Sequence, residues 1–149
     1  MFYSLVYHAL VDMAELGRGD RILLRVDDTK IGKRLGRAFI EICQILRIRV
    51  DMKGDDNDYL AVFDCSETPA FVELVSRVQK GGLMCHVTLR ESREDVNLPN
   101  ATNVDFMCLS AEGFFNHYNG CKAVVEQVLM LHKDGKLDYR AADLNQKLL

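Results

Sequence analysis

Tryptophan is absent from the 149 residues, proline occurs only twice, and neither sign of charge dominates, with 19 Lys and Arg against 22 Asp and Glu. A chain of net charge −3 offers no general field for drawing in polyanions, so nucleic acid is not expected as a partner. No run of about 18 apolar residues is present to span a membrane, and none is expected to. The start, MFYSLVYHALVDMAEL, is interrupted by His8, Asp12 and Glu15 and lacks a basic leader with a small-residue cleavage site, so it is expected to be folded structure. No two of the five cysteines, Cys43, Cys65, Cys85, Cys108 and Cys121, have zinc-ligand spacing. The histidines His8, His86, His117 and His132 do not cluster with them, so no metal is expected. An odd number of cysteines set mostly among apolar neighbours reads as reduced thiols in a reducing, cytoplasmic compartment.

What is present is a nearly even supply of apolar residues, 48% of the chain, enough for one domain over residues 1–149 that buries about two-thirds of its unfolded surface. Leu5, Val6, Ala9, Leu10, Met13 and Leu16 recur at helical spacing, which predicts a first helix over 2–16 closed by Gly17. Arg21–Val26 is a strand, and its Ile22-Leu23-Leu24 run suits burial on both faces. Leu35, Phe39, Ile42, Cys43 and Leu46 mark a helical stripe. Ile48–Met52 and Tyr59–Phe63 are further strands, separated by the polar loop Gly54–Asp58.

Thr68-Pro69 predicts a helix start, with Phe71, Val72, Leu74, Val75 and Val78 as its apolar face and Gly81-Gly82 as its end. Leu83–Leu89 and Val104–Leu109 are strands around a polar excursion, 90–103. From Ala111 to Lys133 the pattern is helical, weakened by Gly113 and Gly120 so that two shorter helices fit as well. Gly135 closes it, and 136–149 is weakly patterned. Strands alternating with helices across the core, 19–133, predict an α/β fold, a Rossmann-like, mainly parallel sheet with helices on both faces.

The stretch Gly19–Val50 has the strand, turn, helix, strand order of a nucleotide-binding unit, yet its turn, VDDTKIGKRLG, holds two carboxylates and few glycines. Asp51, at the end of the second strand, stands where such folds place an acid for a ribose hydroxyl; the plainer reading is a solvated acid beside Lys53. Gly32-Lys33 does not complete a phosphate loop, because the earlier glycine is Asp27 and the following Ser/Thr is Arg34. Asp64, Cys65 and Ser66 end the third strand at the ligand-binding edge, where Cys65 reads as a buried thiol with no partner base in the sequence. Cys85 and His86 alternate to opposite faces. Phe114, Phe115, His117 and Tyr118 form an aromatic cluster that either packs on the sheet or offers a contact surface.

Several stretches in order resemble the nucleotide-binding domain of medium-chain reductases, and most closely the enoyl reductase domains of polyketide and fatty acid synthases. They are SLVYHALVDMAELGRGDRILL, LGRAFIEICQILRIRV, YLAVFDCSETPAFVELVSRVQKGGLMCHV, NVDFMCLSAEGFF and VLMLHKDGKL. The resemblance implies a glycine loop holding the pyrophosphate of NADPH, of which Gly32 and Gly36 would be the vestiges, with a loop about four residues longer than the family's and Lys33 and Arg34 at glycine positions. It also implies a lysine and an aspartate after the second strand. Here only DMKGDDND separates Val50 from the third strand, so those roles are not carried over to Lys53 or Asp55. The family's substrate domain precedes the first helix and resumes after the G-K-L helix, and neither part lies in these 149 residues.

The expectation is a non-catalytic, pseudo-reductase domain of a highly reducing polyketide synthase. Its role would be structural, its catalytic residues none, and its partners neighbouring synthase domains or a trans-acting enoyl reductase. No cofactor is expected, or NADPH if the loop still binds it. The alternatives are an NADPH-dependent enoyl reductase that borrows its substrate half, and a stand-alone degenerate relative of quinone reductases.

Overall fold

The computed structural model of the chain describes residues 2–54, 56–67, 71–90, 103–117 and 121–135. Five parallel strands form one sheet: β1 (Arg21–Arg25), β2 (Arg49–Asp51), β3 (Tyr59–Asp64), β4 (Val78–Thr88) and β5 (Asp105–Ser110), in the order β2-β1-β3-β4-β5. The helices are α1 (Phe2–Tyr7), α2 (Lys30–Leu46), α3 (Phe71–Leu74), α4 (Ala111–His117) and α5 (Cys121–Lys133). The α/β class and the parallel sheet flanked by helices are as the alternating pattern predicts. No helix among the described residues is long and apolar enough to cross a membrane.

Side chains leave a strand alternately to its two faces, so each strand serves two cores. One face of the sheet carries Ile22, Leu24, Phe63, Cys85 and Leu109 and is covered by α1, α2, α4 and α5. Here Phe39 of α2 lies against Phe63 with ring centroids 4.9 Å apart, both fully buried, each worth about 1.5–3 kcal/mol of transfer free energy. The other face carries Leu23, Tyr59, Val62 and Met84, with Leu74 of α3 and Val78 packed on them. That double burial is why Ile22-Leu23-Leu24 reads as a continuous apolar run.

Three boundaries differ from the sequence reading. The first helix is α-helical only to Tyr7 and runs on as a π-helical stretch, His8–Met13, with Ala14 N–H donating to Ala9 O at 3.0 Å. The left-handed residue that ends it is Glu15 (φ 51°) rather than Gly17. After β1 the connection is short: Thr29 caps α2 and the helix starts at Lys30, so Gly32 and Gly36 are helix residues rather than loop residues. The predicted helix ending at Gly81-Gly82 is instead α3 followed by a 3-10 turn, Val75–Arg77, and β4 begins at Val78, which pairs with Tyr59. The physical reason is tertiary: Val78 fills the second core, while Gly81 (φ 81°) and Gly82 let β4 bulge between Val78 and Leu83. An added Cβ on Gly82 would lie 2.7 Å from Leu60 O. The two shorter helices that the sequence allows between Ala111 and Lys133 are α4 and α5. The expected cap at Thr68-Pro69, the polar excursion from 91 to 102 and the tail from 136 lie outside the described residues.

Candidate functional site

The sheet order reverses between β1 and β3. From β1 the chain crosses through α2 to β2 on one side; from β3 it crosses through α3 to β4 on the other. Doubly wound sheets bind ligands outside the carboxyl ends of the strands at such a point. In this chain the crevice is bounded by Val26–Thr29 and Cys65–Glu67.

Asp27 spans it. Its Oδ1 accepts from Thr29 N at 3.1 Å and from Thr29 Oγ1 at 2.5 Å, and its Oδ2 accepts from Glu67 N at 2.8 Å, across the crevice. The Thr29 hydroxyl in turn accepts from Gly32 N at 3.0 Å, so side chains of the turn satisfy amides that a helix N-terminus leaves open. Burial favours the neutral acid. Hydrogen bonds from the Thr29 hydroxyl and the Glu67 and Thr29 amides, with the nearby Arg25 charge, outweigh it and hold the Asp27 carboxyl below the usual range.

The two glycines fit this arrangement. A Cβ on Gly32 would run into the Asp27 side chain and lie 3.0 Å from Thr29 Oγ1, so glycine is what lets Asp27 fold back over the first turn. A Cβ on Gly36 would stand 2.7 Å from Val26 Cγ2, so that glycine sets the close approach of helix to strand. The structure brings Gly32 to the crevice through Asp27 and places Gly36 behind it.

Asp51 is not at the crevice with them. At the end of β2 it accepts from Tyr59 OH at 2.8 Å and lies 3.8 Å from Arg21 Nε, while Arg21 Nη2 donates to Asp56 at 2.9 Å and Asp58 at 2.6 Å. Asp51 is partly exposed at the strand end, as the plain reading has it, and its partners are Tyr59 and Arg21. Burial first, then the Asp51 carboxylate, pushes the Tyr59 phenol up to about 12, so it stays a donor.

The β3 edge repeats the β1 turn. Fully buried Asp64 accepts from Ser66 N at 3.0 Å and Ser66 Oγ at 2.5 Å, and His86 Nε2 donates to Ser66 O at 2.7 Å. Arg25, Asp64 and His86 stand side by side on β1, β3 and β4, with Arg25 Nη1 at 3.9 Å from Asp64 Oδ2. Both turns thus use aspartate followed two residues later by Thr or Ser, a local pattern that the sequence does show, as Asp27-Asp28-Thr29 and Asp64-Cys65-Ser66. The sequence reading missed its meaning, and the Asp27 to Glu67 link besides.

The thiols here are not nucleophiles. Burial raises Cys65 well above its ordinary value and Cys85 to about 12, so both are neutral thiols near pH 7. Cys85 lies in the main core, as the strand alternation predicts, and His86 is on the other face. Phe114 is buried 4.9 Å from His8, with Phe115 edge-on to it at 4.8 Å, which is the packing reading of that cluster; the His117 side chain and Tyr118 lie outside the described residues. Among the described residues no three His, Cys, Asp or Glu side chains are placed to hold a metal.

No protein-family model matches the chain, and no curated protein matches its sequence. Solved structures match its fold. CurK enoyl reductase superposes with a TM-score of 0.65 at 10% identity, over 93% of this chain and 51% of that one. The fold is enoyl-reductase-like. The mitochondrial 2-enoyl thioester reductase Etr1p/Etr2p heterodimer from Candida tropicalis gives 0.62 at 12% identity, over 91% of this chain and 49% of that one. A polyketide synthase domain provisionally described as an enoyl reductase gives 0.58 at 13% identity, over 91% of this chain and 93% of that one. The chain thus spans about half the length of the first two, and at these identities the likeness is one of fold. Within this enoyl-reductase-like fold, the switch-point crevice carries a carboxylate tied to both of its walls.

Proposed function

We propose that the chain is a non-catalytic, enoyl-reductase-like domain that serves a polyketide synthase as a structural and contact module, with neighbouring synthase domains or a trans-acting enoyl reductase as its partners. One observation carries this reading: Asp27 puts a carboxylate at the start of α2 and bonds it to Glu67 N on the far wall. A dinucleotide pyrophosphate needs that helix end and its open amides. A phosphate oxygen about 4 Å from the carboxylate would meet roughly 1 kcal/mol of repulsion in a wet crevice and about 4 kcal/mol in a partly shielded one. The fold is kept and the contacts a cofactor would use are occupied.

The second reading, an NADPH-dependent enoyl reductase whose substrate half lies elsewhere, draws on Gly36, which preserves the close helix-to-strand approach of a nucleotide-binding unit. Calorimetric titration with NADPH separates the two. No saturation at millimolar cofactor is expected, and micromolar affinity would overturn the non-catalytic reading.

A further inference from the structure

The outer face of α2 carries exposed cations along its length. Lys30, Lys33, Arg37, Ile40, Gln44 and Arg47 are all exposed and follow one another at spacings of three and four, so they form one stripe, about 25 Å long, on the side away from the sheet. Four of the six are cations, in a chain of net charge −3. The first turn of the helix has no acidic residue of its own, and the carboxylate that complements the positive end of the macrodipole is that of Asp27, just before it. The one carboxylate of α2, Glu41, accepts from Tyr3 OH and faces Arg37 Nε at 3.5 Å. Among the described residues Lys30, Lys33 and Arg47 form no ion pair. In the middle of the stripe Ile40 is 40% exposed, one of the few large apolar side chains left open to water.

We infer that this face is a docking surface for an acidic amphipathic helix of a protein partner. The cations are spread along one straight line at helical spacing, which matches carboxylates repeating on a second helix rather than a single phosphate group. Ile40 among them calls for an apolar side chain on the partner, which a nucleic-acid backbone does not supply. This inference names the contact surface of the architectural reading. The cofactor titration reads the crevice, and the test below reads the outer face of α2 as far as Arg47, so the two fail independently.

The probe is a synthetic acidic amphipathic helix of about 18 residues, long enough to cover the stripe, followed by backbone amide shifts of the full chain. Shifts confined to α2 are expected, with affinity falling about tenfold in Lys33→Glu together with Arg37→Glu and unchanged in Lys122→Glu on α5. Lys33→Glu alone places a carboxylate in the first turns and four residues before Arg37, so it should raise Tm by about 2 °C while weakening the peptide. Absence of shifts on α2, a lowered Tm in Lys33→Glu, or equal displacement of the peptide by a single-stranded RNA oligomer would each overturn the inference; the last would reassign the face to nucleic acid.

Discussion

Asp27 accepts hydrogen bonds from amides that belong to two different crossovers, Thr29 on the way into α2 and Glu67 after β3, so one side chain closes a gap between segments 40 residues apart. The energy of that tie follows from what its loss would leave behind. With Asp27→Ala the Glu67 amide and the Thr29 hydroxyl lose their acceptor together, and a cost of about 1–3 kcal/mol at neutral pH is expected in denaturant unfolding. The pH dependence has a definite sign. Asp27 is held below the unfolded carboxyl value of about 3.9, so its contribution is fully present above that pH and is lost as pH falls through the lower folded value. The gap between wild type and Asp27→Ala should therefore close in acid; a gap that is constant from neutral pH down through that range would show that the carboxylate charge has no part in the tie. That Asp27 does this was not legible in the sequence, because its second partner is a backbone amide and any residue but proline at position 67 would supply one.

At the scale of the element, α2 shows how the same glycine reads differently from sequence and from packing. An interior helical glycine replaced by alanine ordinarily gains about 1 kcal/mol. At Gly36 the new Cβ would meet Val26 Cγ2 at 2.7 Å and Cγ1 at 3.3 Å, on a β-branched side chain that has little room to turn. Gly36→Ala should destabilise by about 1–3 kcal/mol, and a rise in Tm would refute the close-packing account. The apolar stripe of α2 and the buried run in β1 were legible because each follows from its own periodicity. The span from Phe71 to Gly82 was not: Leu74, Val75 and Val78 fit helical spacing equally well, and pairing of Val78 with Tyr59 decides for strand. Gly81-Gly82, which read as a helix end, are the bulge that lets β4 pass Leu60. Gly32 and Gly36 read as relics of a loop because the start of α2 depends on the Thr29 cap, and a single cap residue is a weak signal beside two glycines four apart.

Over the whole molecule, the order β2-β1-β3-β4-β5 places the most buried strands at the centre and the least buried at the rims. β2 has three residues, none of them fully buried, and β5 leaves Asp105, Met107 and Cys108 exposed. β1, β3 and β4 instead carry Leu24, Val62, Phe63, Met84 and Cys85, all fully buried, and each is paired on both sides. The two cores meet across these three strands, so exposing any one of their residues means opening both faces. Local opening at β2 or β5 breaks only one ladder, against two for each central strand. Native-state hydrogen exchange should accordingly show amides of Leu24, Val62 and Cys85 opening only with global unfolding, while those of Val50 and Met107 exchange at least about a hundredfold faster, a difference of roughly 3 kcal/mol. Equal protection across all five strands would mean that the sheet opens as one unit and that the second core, on the α3 side, contributes as little to the centre as to the rim.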